Sequence, residues 1–234
     1  MQNTRMSPKK NTLRPAASVV ATVHTPGGLR QAGRLDRREV GFVELRLDAL
    51  AKHLPAVDLA IPGIAAPILI TARHGAEGGS GRLGMGLRRD LLGRYLLRAD
   101  ALDVELRSAA SMRGLLHEAR RRGVTRVVSF HDFRRTPDLA RLRVVVGRAV
   151  RGGADIVKIA THLRGAKDLS VLLLLQSAAK VPLATMGMGP LGKVSRLVLA
   201  AAGSRLNYGY LDKPQVEGQW PALDLVRRLE ETAP

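Results

Sequence analysis

Eight short aliphatic or β-branched runs recur along the chain, each separated from the next by a longer stretch, and this rhythm leaves few folds open. The runs are SVVATV from Ser18, FVELRL from Phe42, PILITAR from Pro67, ALDVEL from Ala101, RVVSFHD from Arg126, ADIVKIA from Ala154, VPLAT from Val181 and RLNYGY from Arg205. Helix-like segments lie between them, at Leu87 to Ala99, Ser108 to Arg122, Pro137 to Arg151, Ala166 to Ala179 and Gly192 to Ala202, with Gly123, Gly152 and Gly203 placed as C-caps. Alternating strand and helix implies a parallel sheet. Eight units can close on themselves, whereas an open doubly wound sheet usually has fewer strands and a G-x-G-x-x-G turn after the first, which is missing here. With 234 residues and 45% hydrophobic content there is enough apolar material for one core. The reading is a single-domain α/β protein, a (β/α)8 TIM barrel over residues 16–234, preceded by a loose basic tail at residues 1–15. Between Val23 and Phe42, two glycines and a proline leave room only for a short first helix.

Composition narrows the chemistry. There are no cysteines, which excludes disulfides and thiolate metal sites, and the six histidines are too scattered for a His-rich metal tract. The opening MQNTRMSPKKNTLRP carries no apolar signal region, and no apolar stretch elsewhere is long enough for a bilayer, so a cytoplasmic protein with no membrane partner is expected. A formal charge of +18 raises nucleic-acid binding as a possibility. Aromatics are only 3%, however, and arginine is spread along the whole chain, a pattern that fits a solvated basic surface better than one nucleic-acid footprint.

Reactive groups of this fold collect at the C-terminal ends of the strands, and the polar residues of the runs fall there. Lys158 sits within the apolar ADIVKIA, where desolvation and neighbouring cations can release the neutral amine that attacks a ketone; a lysine that snorkels to solvent from the strand end is the plain alternative. His131, in VVSFHDFRRTP, lies one βα unit earlier and is suited to moving protons beside an iminium, or else simply caps the turn next to Asp132. Glu77, in the loop TARHGAEGGSG, is placed to accept from His131 and set its tautomer, while Gly78 and Gly79 read as turn residues. Glu44, Arg46, Arg73 and Arg196 would line the same mouth, suited to a substrate with several hydroxyls and a carboxylate. GMGPLG, before the helix at Lys193, could instead hold phosphate at a helix N-terminus.

In order along the chain stand E-x-R-x-D at Glu44, Arg46 and Asp48, T-x-R with E-G-G from Thr71 to Gly79, and D-x-E at Asp103 and Glu105. S-x-H-D-F-x-x-T-P follows from Ser129 to Pro137, A-D-I-x-K-I-A from Ala154 to Ala160, M-G-x-x-G-x-x-S-R from Met188 to Arg196, and G-Q at Gly218 and Gln219. This ordered set resembles the type I 3-dehydroquinate dehydratase family of the shikimate pathway. The resemblance implies a hydro-lyase that forms a Schiff base on Lys158 and performs a syn elimination through an enamine, with His131 as general base and later acid, and Glu77 orienting it. It further implies Glu44, Arg46 and Arg73 at the ring hydroxyls, Arg196 and Gln219 at the carboxylate, no metal or organic cofactor, and a homodimer. The loop before Gln219 departs from the family pattern: Gln215 and Glu217 stand where members usually have a small hydroxyl residue and P-G-Q, so a differently closing lid is expected, with Gln215 still able to donate a hydrogen bond. A Schiff-base aldolase of phosphorylated sugars shares the barrel and the lysine, and a catalytically weakened homologue with a basic nucleic-acid-binding surface would share the charge.

Overall fold

The computed structural model describes residues 18–232, so the tail assigned to residues 1–15 lies outside the described residues. The strands are β1 (Val19–Val23), β2 (Phe42–Arg46), β3 (Ile68–Thr71), β4 (Ala101–Glu105), β5 (Thr125–Asp132), β6 (Ile156–His162), β7 (Leu183–Met188) and β8 (Asn207–Tyr210). They form one parallel sheet in the order β7-β6-β5-β4-β3-β2-β1-β8. The two edges come together at β7 and β8, where Arg205 N–H donates to Leu183 O at 2.7 Å, giving a nearly closed barrel. Among the described residues the outer layer comprises α1 (Pro26–Ala32), α2 (Leu54–Ala60), α3 (Met85–Tyr95), α4 (Leu106–Ala109), α5 (Arg113–Arg121), α6 (Leu139–Arg151), α7 (Ala166–Ser177), α8 (Gly192–Ala201) and α9 (Ala222–Glu231).

Strand alternation divides the molecule into two cores. Outward residues such as Val43, Leu45, Val157 and Ile159 pack against the helices, while Val20, Leu69, Ala101, Val127, Ala184 and Leu206 fill the barrel's interior. Leu45 and Ile159 are fully buried, and truncating such a side chain to alanine costs about 2–5 kcal/mol. The apolar residues at the base of the interior leave its upper part to hold charge.

The predicted rhythm holds with three adjustments. β7 runs beyond VPLAT to Met188, because Met186 and Met188 still face the apolar interior. The segment 108–122 is not one helix: α4 ends at Ala109 and α5 begins at Arg113, with the Ser108 hydroxyl drawn into a buried bond with Arg88. Gly123 and Gly203 follow their helices at φ 72° and 95°, but Gly152 keeps a right-handed φ of −73° and Gly153, at φ 94°, makes the left-handed turn.

Candidate active site

The inward positions of neighbouring strands stack a charged layer on the apolar plug. On β2, Glu44 accepts from Thr22 Oγ1 at 2.9 Å and Thr71 Oγ1 at 2.7 Å. On β4, Asp103 takes a fork from Arg73, at 2.9 and 2.7 Å, together with the Ser129 hydroxyl at 2.6 Å. Lys158 of β6 pairs with Ser129 of β5 across the ladder, and its Nζ donates to Asp103 Oδ2 at 3.2 Å. The same nitrogen lies 3.6 Å from the centroid of the Tyr208 ring. Lys158 is only 4% exposed, so it does not snorkel. Burial lowers its pKa, Asp103 and Glu44 oppose this, and Arg73 adds to the lowering; the net is a fall from the ordinary lysine value. Burial pushes the Asp103 carboxyl up, but Arg73 and Lys158 outweigh it and hold the group well below the carboxylate range.

His131 stands two residues beyond Ser129 on the same strand face. Its Nδ1 is 2.9 Å from Glu77 Oε2, which also accepts the His131 backbone N–H at 3.1 Å. Arg107 Nε lies 3.2 Å from the other carboxylate oxygen, so both Glu77 oxygens face donors. With Glu77 ionised, this assigns the His131 proton to Nδ1 and leaves the Nε2 lone pair as the base. Burial pushes Glu77 up to about 7, with Glu105 adding to the rise and Arg73 and Arg107 opposing it. Burial, then Arg73 and Lys158, push His131 well below its ordinary value, so the imidazole is neutral near pH 7. The loop carrying Glu77 depends on its glycines: Gly78 has φ 80°, and a Cβ on Gly79 would sit 2.1 Å from Arg73 O.

All nine residues singled out from the sequence line one cavity, with about 630 Å³ of empty space. Several of them differ from a free binding group. Arg46 forks onto Asp48 at 2.9 and 2.8 Å, and Asp48 also accepts the backbone N–H groups of Arg73 and Ser80. Burial pushes the Asp48 carboxyl up, but Arg46 more than offsets this and the group lies below its ordinary value. The remaining Arg46 Nη1 donates to Gln215 Oε1 at 2.9 Å. Gln215, expected as a donor, thus accepts through its amide oxygen, because it faces the one side of the guanidinium that Asp48 leaves open. Gln219 Oε1 accepts from the backbone of Gln215 at 2.7 Å and Val216 at 3.3 Å, drawing the lid loop over the cavity.

Arg196 is 1% exposed and has no acidic partner among the described residues. Its Nε donates to Tyr208 O at 2.9 Å, and its Nη1 reaches Gly187 O at 2.9 Å, Gly192 O at 2.8 Å and Gly218 O at 2.5 Å. Burial alone lowers its pKa to about 10, still cationic at neutral pH. A buried guanidinium met only by carbonyls favours an incoming anion. The GMGPLG helix start is less available to phosphate, since a Cβ on Gly192 would lie 2.7 Å from Gly218 Cα of the lid.

Three contributors escaped the sequence reading. Asp103 was seen in its motif but given no part, yet it joins Arg73, Ser129 and Lys158. Arg88 of α3, also 1% exposed, donates to Ala72 O at 2.7 Å, to Ser108 Oγ at 3.2 Å and to Glu105, whose other oxygen accepts His74 N–H at 2.8 Å. Tyr208, within the run RLNYGY, was given no part but lies against the lysine nitrogen.

A charged cavity at the C-terminal ends of parallel barrel strands, centred on a buried lysine beside a carboxylate-oriented histidine, is the architecture of a barrel enzyme. The family model described as type I 3-dehydroquinase matches residues 19–232, and the chain belongs to that family. It is 34% identical to a 3-dehydroquinate dehydratase of Methanocella arvoryzae over 86% of this chain and 90% of the relative. It is 32% identical to one of Methanothrix thermoacetophila over 84% of each chain. The crystal structure of 3-dehydroquinate dehydratase from Geobacillus kaustophilus superposes with a TM-score of 0.82 at 28% identity, covering 92% of this chain and 90% of that one. The match covers the whole described barrel.

Proposed function

We propose that this chain dehydrates 3-dehydroquinate to 3-dehydroshikimate, a step of aromatic amino acid biosynthesis, through an imine on Lys158. The observation that carries the reading is the placement of Lys158 Nζ: buried, lowered in pKa by that burial, and on the strand next to His131. The neutral amine adds to the ring ketone, and loss of water gives an iminium that draws electrons from the adjacent carbon. His131 Nε2 removes a proton from that carbon, forming the enamine, and returns a proton to the departing hydroxyl, which leaves as water. Hydrolysis of the conjugated iminium releases the enone and restores the amine. Ionised Glu77 keeps the His131 proton on Nδ1, and Asp103 holds the lysine in place.

Arg196 fits the substrate carboxylate, because it is a buried cation without an acidic partner among the described residues, and the amide nitrogen of Gln219, also without a partner among them, fits a second contact to the same group. Glu44, Arg46 and Arg73 line the opposite wall, where hydroxyls would be received. The working form on this reading is a cytoplasmic homodimer, with the exposed Val144, Leu174 and Val194 on the adjoining helices α6, α7 and α8 as apolar positions for a second copy to cover.

The test is incubation with 3-dehydroquinate while ultraviolet absorbance follows the conjugated enone, with borohydride added in a parallel sample. Enone formation and a reduced adduct mapped to the peptide containing Lys158 are the expected results. No enone, or an adduct on Lys167, Lys180 or Lys193, would overturn the reading.

A further inference from the structure

Tyr208 combines a used ring with an unused hydroxyl. The side chain is 3% exposed and lines the cavity, its ring face lies against Lys158 Nζ, and its phenolic oxygen has no hydrogen-bond partner among the described residues. A buried hydroxyl left without a partner is destabilising, so a hydroxyl at this position calls for a ligand group to meet it. The carboxylates that influence it, Glu44 and Asp103, are already supplied with donors, by Thr22 and Thr71 in one case and by Arg73, Ser129 and Lys158 in the other. Its apolar neighbours in the cavity, Ala160, Met186 and Met188, offer nothing stronger than a thioether. Burial, reinforced by those two carboxylates, keeps the phenol protonated, so the group is a donor waiting for an oxygen.

We propose that Tyr208 touches the substrate directly: its hydroxyl donates to an oxygen of the bound hydroxy-keto acid, while its ring face holds the cationic nitrogen of Lys158. The inference rests on the proposed dehydration. The ring attracts the ammonium and then the iminium, both positively charged, and loses that attraction when the nitrogen becomes a neutral enamine. The hydroxyl contributes affinity and orientation without entering the proton transfers.

Tyr208→Phe separates the two roles, since it keeps the ring and removes only the hydroxyl. The expected result is a rise in KM of about 3- to 10-fold, the worth of one hydrogen bond, with borohydride labelling of Lys158 retained at saturating substrate. The unligated variant should melt at the wild-type temperature or above it, because an orphaned buried group has been removed. A merely structural hydroxyl would lower that melting temperature, and this result overturns the proposal, as does an unchanged KM. Tyr208→Leu removes the ring as well and should label more slowly than Tyr208→Phe; equal rates would overturn the part given to the ring. Wild-type protein that forms no enone fails the reaction itself and takes the inference with it, whereas active wild type with an indifferent Tyr208→Phe fails the inference alone.

Discussion

Lys158 and Arg196 are both buried cations on one cavity, yet the two sides of the barrel treat them in opposite ways. On the side formed by β2 to β6, positive groups are matched: Arg46 with Asp48, Arg73 with Asp103, Lys158 with Asp103 again. On the side formed by β7 and β8, Arg196 meets only backbone carbonyls, among methionines and a tyrosine with an unmet hydroxyl. The paired side is finished before substrate arrives and suits proton transfers that need fixed geometry. The unpaired side is one negative charge short and suits binding.

The two sides should accordingly fail differently. Lys158→Ala strikes the paired side at its centre and should lower kcat by on the order of 10⁴- to 10⁶-fold, as for loss of a covalent nucleophile, with no borohydride adduct; appreciable turnover would break the comparison. Arg196→Ala should leave the chemistry of bound substrate largely intact but cost about 2–5 kcal/mol of binding, read by calorimetric titration at a temperature where the variant is folded. A large fall in kcat with unchanged affinity would put Arg196 on the wrong side of the division.

Glu77 sharpens it through pH. Its folded pKa of about 7 lies above the reference value of 4.5, so the folded state binds more protons between those values. The stability it contributes is fully present below about pH 4.5 and is lost as pH rises through about 7. Denaturant unfolding across this window should show a decline that Glu77→Gln removes, and the wild-type rate should climb as Glu77 ionises and fixes the His131 tautomer. A flat stability profile in wild type would refute the shift. The smallest effect is expected at the lid, where Gln215→Ser removes one partly exposed bond to Arg46 and should change KM by no more than the worth of one hydrogen bond, about 0.5–1.5 kcal/mol.

The barrel and most of the cavity wall were legible in the sequence because period and position carry them. Lys158 interrupts an aliphatic run, and His131 ends one, so each announces itself against its background. Arg88 does not: in a chain with 38 Lys and Arg residues, a buried arginine on α3 looks like any surface one, and only the helix's rotation toward Glu105 distinguishes it. Tyr208 was hidden for the converse reason: a tyrosine within a strand run gives no sign of what its hydroxyl meets, because the unmet hydroxyl is a property of its neighbours. The break between α4 and α5 was invisible because periodicity continues across it, while the bond between Ser108 and Arg88 comes from a segment twenty residues away.

The incomplete ladder between β7 and β8 gives Arg196 a second significance. Carbonyls of Gly187 and Tyr208, which a finished ring would spend on a neighbouring strand, are free to accept from its guanidinium. Whatever neutralises that guanidinium also relieves the charge at the joint, so ligand occupancy and the tightness of the ring are thermodynamically linked. Amide hydrogens of β7 and β8 should accordingly exchange with solvent more slowly when a carboxylate is bound, even though the ligand forms no bond to most of them. The substrate would serve this barrel as its keystone.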